Sequence, residues 1–158
     1  MEDKYLNKRF DILDEKNIDV DVLETLDFRY KGSGTAVTIS TKEFTSVCPW
    51  TGLPDTAEIF ITYIPSKKLV EMKSLKYYLL SFRNVGILQE HAVNRIINDL
   101  TDLLKPEFME VTAKFESRGG LDTLVKVKYE KYNKILFSFR RKGRTCMPRS
   151  RLYPLSYS

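Results

Sequence analysis

The sequence predicts an α+β fold: an antiparallel four-stranded sheet carrying two helices on one face. Three observations predict it. Four segments are rich in β-branched and aromatic residues, two segments between them repeat apolar residues at helical spacing, and their order along the chain is β-β-α-α-β-β. The 158 residues suit one domain, and 42% hydrophobic with 12% aromatic content can fill a core and excludes a disordered chain.

The first 30 residues are mixed and polar, with Leu23, Leu26 and Phe28 as the apparent anchors. Gly32-Ser33-Gly34 marks a turn. It lacks the third glycine of a dinucleotide loop, since Val37 stands there, and no strong strand precedes it, so a Rossmann reading is excluded. A strand is expected at 35–40, a loop over 44–55 with two prolines and a glycine, and a second strand at 57–64 stopped by Pro65-Ser66. A helix at about 70–84 places Glu71, Leu75, Tyr78 and Phe82 on one face and Lys73, Lys76 and Asn84 on the other. A second helix, about 88–105, stripes Gln89, Val93, Ile96, Ile97, Leu100, Leu103 and Leu104 and ends at Pro106. Strands at 108–118 and 123–131 flank the Gly119-Gly120 turn. The expected organisation is an N-terminal extension (1–34), a central unit (35–131) and a basic C-terminal tail (132–158).

No apolar run approaches the roughly 18 residues of a membrane helix, and the N-terminus lacks an apolar signal core. Cys48 and Cys146 are too far apart in sequence for a disulfide framework or zinc knuckle, and His91 is the single histidine, so no metal site is expected. A reducing, cytoplasmic location is the expectation. The net charge of +5 is unevenly spread: residues 132–158 carry seven basic groups and no acidic one, which leaves residues 1–131 at about −2. Such a tail suits either RNA or a solvated or subunit-contacting arm, and charge alone does not make a nucleic-acid binder.

Cys48, between Val47 and Pro49 in the expected loop, is open to two readings: a small buried hydrophobe or a nucleophile. Asp55 lies seven residues on, past a Thr51-Gly52 turn that can fold the chain back. A thiolate with a nearby carboxylic acid is what covalent catalysis at an electrophilic carbon requires; equally, Asp55 after Pro54 is a turn cap. Glu71 on an apolar helix face calls for a partner or ligand, unless it complements the helix dipole. Lys73 and Lys76 suit phosphates or a solvated face. His91 points away from the apolar stripe and reads as a surface residue.

Several runs together are long and specific. Phe44-Thr45-Ser46-Val47-Cys48-Pro49-x-Thr51-Gly52-x-Pro54-Asp55, Tyr63-Ile64-Pro65, Glu71-Met72-Lys73-Ser74-Leu75-Lys76-Tyr77-Tyr78, Ser81-Phe82-Arg83-Asn84 and Phe115-x-x-Arg118-Gly119-Gly120 resemble the short form of the QueF family over about residues 40–120. These are NADPH-dependent 7-cyano-7-deazaguanine reductases of queuosine biosynthesis. The resemblance implies the tunnelling fold, whose ββααββ unit is the order read above. It also implies a homo-oligomeric ring, usually a decamer of two pentamers, with sites at subunit interfaces.

The activity implied is reduction of a nitrile to a primary amine on a small 7-deazaguanine substrate. Cys48 would attack the nitrile carbon to give a thioimide and Asp55 would protonate the nitrogen. Val70, Glu71, Met72, Gln89 and Glu90 would hold the base, and Lys73, Ser74, Lys76, Tyr77 and Arg118 would contact NADPH. One departure stands out: where many relatives have His-Glu at the start of the second helix, this chain has Gln89-Glu90, and an amide hydrogen-bonds without giving or taking a proton near neutral pH. The alternatives are a QueF-like amidinotransferase making archaeosine on tRNA, for which nucleic acid would be a partner, and a non-catalytic tunnelling-fold subunit. The Lys73–Tyr78 element favours the reductase. A zinc-dependent relative of the GTP cyclohydrolase type is excluded by the single histidine.

Overall fold

The structure is a computed structural model that describes residues 11–131. The basic tail and Cys146 lie outside the described residues. A short 3-10 helix (Glu15–Asn17) leads to β1 (Thr25–Asp27), and two long strands follow, β2 (Val37–Val47) and β3 (Pro54–Ile64). Then come β4 (Lys68–Val70), α1 (Met72–Leu80), α2 (Gln89–Leu104), β5 (Phe108–Arg118) and β6 (Leu121–Glu130). The main sheet has the order β2-β3-β5-β6, antiparallel throughout, and both helices pack on one face of it, as the sequence predicts.

Period-two alternation decides which face they cover. Asp55, Ala57, Ile59, Ile61 and Tyr63 of β3 point inward; the last four lie opposite Phe115, Ala113, Val111 and Met109 of β5, so Phe115 meets the small Ala57 and Ile59 the small Ala113. Leu75, Tyr78 and Leu79 of α1 and Val93, Ile96, Ile97, Leu100 and Leu104 of α2 close over them. The other face is polar, as antiparallel sheets allow. There the Thr38 and Thr62 hydroxyls share a hydrogen bond, and Glu110 sits between Lys126 and Lys128 at 3.2 and 3.0 Å.

The strands exceed their expected limits. Phe44–Val47 belongs to β2 and Pro54-Asp55 to β3, so the expected 44–55 loop shrinks to Cys48–Leu53. Phe44 and Ala57 are a buried cross-strand pair, as are Ser46 and Asp55; this continues the ladder past the point where proline suggested it should stop. Pro54 is tolerated because it is the first residue of its strand. The first helix is shorter than the expected 70–84. It starts after Glu71 and stops at Leu80, where the Ser81 hydroxyl donates to the Tyr78 carbonyl. Phe82 is buried in the following turn, 5.4 Å from the rings of both Phe44 and Tyr78. The second helix ends as expected: Lys105 turns left-handed (φ 45°) ahead of Pro106.

The N-terminal segment is tied to the body. β1 pairs antiparallel with β4, and Ile18 and Leu23 enter the core. Phe28 is buried as expected, whereas Leu26 is exposed, because its side chain projects from the outer face of the two-stranded ribbon. Leu13 bridges to Val85, with its N–H donating to the Asn84 carbonyl and its carbonyl accepting from Gly86 N–H.

A charged knot joins the helices. The buried Tyr78 hydroxyl donates to Asp99 Oδ2 at 2.7 Å, and Arg95 Nε donates to the same oxygen at 2.7 Å. Burial, with Asp99 beside it, pushes the Tyr78 phenol upward, so the hydroxyl remains a donor at all physiological pH values. Tyr78→Phe removes one hydrogen bond to a charged acceptor while Arg95 keeps the carboxylate paired; a loss of about 2 kcal/mol is expected in urea unfolding.

Candidate active site

Cys48 begins a six-residue loop between β2 and β3. Its N–H donates to the Leu53 carbonyl at 2.9 Å, and its carbonyl accepts from Gly52 N–H at 2.8 Å. Gly52 has φ 69°, the left-handed turn that brings the chain back toward Asp55. The residue before Cys48 is clamped from the side: Val47 N–H donates to the Val85 carbonyl, and the Val47 carbonyl accepts from Ile87 N–H, both at 3.1 Å. The 85–87 segment leads directly into α2. The first residues of α2, Gln89 and Glu90, thereby reach the same cavity as Cys48.

That cavity, about 240 Å³, is lined by Cys48, Asp55, Gln89, Glu90, Arg118 and Thr123 among others. Asp55 is 4% exposed. Its Oδ1 accepts from Gln89 Nε2 at 3.0 Å and forms a tight ion pair with Arg118. Ser46, directly across from Asp55 in the β2–β3 ladder, is fully buried, and its hydroxyl has no partner among the described residues. Cys48 is 8% exposed. The Thr51 hydroxyl draws the Cys48 thiol below its ordinary range. Backbone N–H groups of Thr51 and Trp50 and the Arg118 guanidinium add to this, against the opposing effect of burial. The thiol is thus drawn toward its thiolate form, with a paired carboxylate lining the same cavity.

The remaining candidates lie elsewhere on the chain. Glu71 is not on the apolar face of α1; it is the residue that caps it. Its Oε1 accepts from Lys73 N–H at 3.0 Å and Oε2 from Ser74 N–H at 2.7 Å, which holds this carboxyl below the usual carboxylate range. Ser74 is buried and its hydroxyl is occupied, donating to the Glu71 carbonyl and accepting from Glu24 N–H. Val70 is buried in β4, while Met72 and Tyr77 are exposed. Met72, Lys73 and Lys76 line a second, apolar-walled cavity of about 510 Å³ between α1 and β2, whose floor includes Phe44, Ile59 and Leu75. The two cavities share no lining residue. One chain thus carries two groups of candidates: Cys48, Asp55, Gln89, Glu90 and Arg118 in one, and the 70–77 stretch in the other. His91 is exposed, as its helical position predicts.

Arg118, which the resemblance groups with the cofactor contacts, lines the cavity of Cys48 and Asp55. A register irregularity after Phe115 and the Gly119-Gly120 turn re-aim it, which strand periodicity does not reveal. Sequence reasoning also passed over Thr51 as a partner for the thiol, although its place three residues after Cys48 in a Gly-containing turn was a usable signal. It passed over Gly86 as well.

An antiparallel ββααββ unit with a lowered-pKa cysteine beside a buried, arginine-paired aspartate defines a cysteine-bearing tunnelling-fold protein. The chain belongs to the QueF-like protein family, which it matches over residues 54–134. It is 60% identical over 131 residues to the NADPH-dependent 7-cyano-7-deazaguanine reductase of Caldicellulosiruptor bescii, covering 83% of this chain and all of that one. It is 59% identical over 131 residues to the enzyme of the same name from Thermoanaerobacter pseudethanolicus, covering 83% of this chain and 98% of the other. Among solved structures, the apo archaeosine synthase QueF-Like matches with a TM-score of 0.58 at 24% identity, over 63% of this chain and 98% of that one, a likeness of fold.

A Cβ at Gly86 would meet the Ile12 side chain and lie 3.2 Å from Pro49 Cα, next to Cys48. Gly86→Ala is therefore expected to displace the Cys48 loop and lower kcat about tenfold to a hundredfold, with secondary structure intact by circular dichroism. For Glu71, the depressed carboxyl means that its contribution to stability is present above the ordinary glutamate range and is lost as pH falls through the lower folded value. The gap in thermal midpoint between wild type and Glu71→Ala should be full at neutral pH and close on acidification.

Proposed function

We propose that this chain reduces the nitrile of 7-cyano-7-deazaguanine to the aminomethyl group, with NADPH as reductant, in the pathway to queuosine in tRNA. The observation that carries the reading is the shared cavity of Cys48 and Asp55, together with close similarity to reductases of that name. Cys48 Sγ attacks the nitrile carbon, and Asp55 delivers a proton to the nitrogen as the C≡N bond becomes C=N, giving a thioimide. Gln89, where the resemblance implies histidine in many relatives, is hydrogen-bonded to Asp55 and acts by holding the carboxylate rather than by moving a proton. Glu90 accepts hydrogen bonds from N–H groups on the guanine-like edge.

NADPH, when bound, supplies hydride, twice per nitrile. The 70–77 stretch suits it: Lys73 and Lys76 are exposed cations beside an apolar-walled cavity, matched to phosphates and to a ring face. Ser74 and Tyr77 belong to the same stretch. Val70, Glu71 and Met72 complete the base site from a neighbouring chain, because within one chain none of them lines the Cys48 cavity. Trp50 and Leu121, 78% and 74% exposed, line the Cys48 cavity, while the exposed Met72 lines the other. Apolar side chains exposed at both half-sites suit burial between copies, and β2 and β6 are open sheet edges among the described residues. The assembly is then a homo-oligomeric ring, a decamer of two pentamers, in the cytoplasm. Residues 35–131 form the catalytic unit, and residues 1–34 are an extension whose described part braces it.

The test mixes the protein with 7-cyano-7-deazaguanine, without and then with NADPH. It follows intact mass and the absorbance at about 340 nm that reports NADPH. The expected result is a Cys48 adduct discharged with consumption of two NADPH per nitrile. Cys48→Ala should abolish adduct and turnover, while Cys146→Ala stays near wild type. An adduct that NADPH leaves in place would overturn the reductase reading in favour of amidine transfer, and no adduct would remove the nitrile chemistry. Light scattering checks the ring: a mass of one chain would overturn it.

A further inference from the structure

We propose that Trp50 is a substrate-binding residue: its indole stacks on the ring face of the planar base bound beside Cys48. The identity of that base rests on the functional reading above. Trp50 is the only tryptophan of the chain and stands two residues after Cys48. A tryptophan side chain is large and on average highly buried. Trp50 is instead 78% exposed, more than any other large apolar side chain among the described residues. It lines the same cavity as Cys48, Asp55, Gln89 and Glu90.

The exposure is not that of a loose loop. Gly52 N–H donates to the Cys48 carbonyl at 2.8 Å, Cys48 N–H to the Leu53 carbonyl at 2.9 Å, and Leu53 N–H to the Thr51 hydroxyl at 3.3 Å. On the other side of Trp50, Pro49 has its φ fixed by its ring and packs on Gly86, where a Cβ would come within 3.2 Å of Pro49 Cα. The indole is therefore presented from a backbone held before and after it. With two χ angles it offers a broad, rigid surface at small entropic cost, as an aromatic anchor for a ligand does.

The cavity lining divides the work of recognition. Gln89 and Glu90 offer hydrogen-bonding groups to the polar edge of a ring, and neither supplies a surface for its face. Trp50 is the one aromatic residue in that lining among the described residues, and every base has a π-face on which an aromatic side chain can stack. The nitrile lies in the plane of the ring that bears it. A contact that fixes this plane also limits where the nitrile carbon stands relative to Cys48 Sγ, which is the positioning that covalent addition needs. An indole has two faces, so a base on one leaves the other for a neighbouring copy.

The test uses the full chain carrying Cys48→Ala, so that binding stays non-covalent, with 7-cyano-7-deazaguanine and NADP+ as separate probes. NADP+ replaces NADPH because the reduced nicotinamide absorbs indole emission. With a single tryptophan in the chain, indole emission reports Trp50 alone. Free N-acetyltryptophanamide corrects for light absorbed by each ligand. The base should quench the emission saturably, with a midpoint that matches its calorimetric Kd, and NADP+ should leave the emission unchanged. In calorimetry, Trp50→Ala should weaken base binding about fivefold to 150-fold, the range for loss of one base–aromatic stack. Trp50→Phe keeps a ring face and should retain most of the affinity. Iodoacetamide alkylation of Cys48, followed in a Cys146→Ala chain, should keep its pH profile in Trp50→Ala, because the main-chain N–H that helps to lower the thiol remains. Base binding without quenching, or with unchanged affinity in Trp50→Ala, overturns the stacking while the functional reading stands. Quenching by NADP+ and not by the base overturns it in favour of a cofactor contact. A shifted alkylation profile overturns it in favour of a loop-holding role. A fall in assembly mass of Trp50→Ala by light scattering, with no quenching in the parent, makes the indole a subunit contact instead. If 7-cyano-7-deazaguanine does not bind the parent by calorimetry, the functional reading and the proposal fail together.

Discussion

The pair of hydrogen bonds that Val47 exchanges with Val85 and Ile87 is the constraint on which the site depends. They join the last residue of β2 to the connection between the helices, two segments nearly forty residues apart. Each such bond is worth only about 1 kcal/mol net, yet together they leave Cys48 a single position relative to the start of α2. Leu13, bonded to the outer side of the same connection, and Gly86, which admits Pro49 closely because it lacks a side chain, hold the clamp from behind.

Electrostatics complete what the clamp positions. Asp55 is almost wholly buried, and a carboxylate there is tolerable because Arg118 and Gln89 meet it. Arg118 remains partly exposed and so can move without breaking the core. The thiol is drawn down by groups of its own loop, the Thr51 hydroxyl first and then two N–H groups, whereas Asp55 is held by partners from distant elements. Glutamine in place of histidine is compatible with this division, since what Asp55 receives at that position is a hydrogen-bond donor.

The helices show a parallel separation of roles. α2 carries the broad apolar stripe and bears the core, while α1 is short, capped by Glu71 and edged with exposed Lys73, Lys76 and Tyr77. The Tyr78–Asp99–Arg95 knot fastens the two together away from the chemistry. A carboxylate committed to capping keeps lone pairs free on both oxygens, so Glu71 retains acceptor capacity.

The sequence by itself determined the order of the central ββααββ unit, the apolar stripe of the second helix, the 108–118 strand limits and the Cys48 motif. These depend on local periodicity and on turn residues, which act within a few positions. It also marked Cys48, Asp55, Gln89 and Glu90 as candidates. Only the tertiary structure decided that these four share one cavity, that Arg118 joins them, and that Glu71 caps a helix at a distance. It also decided that β1 pairs with β4, that Leu26 faces solvent and that β2 runs to the threshold of the nucleophile. The reason is physical: cross-strand pairing, a bulge that re-aims one side chain and hydrogen bonds between segments forty residues apart leave no periodic trace. Their energy comes from partners that local sequence does not contain.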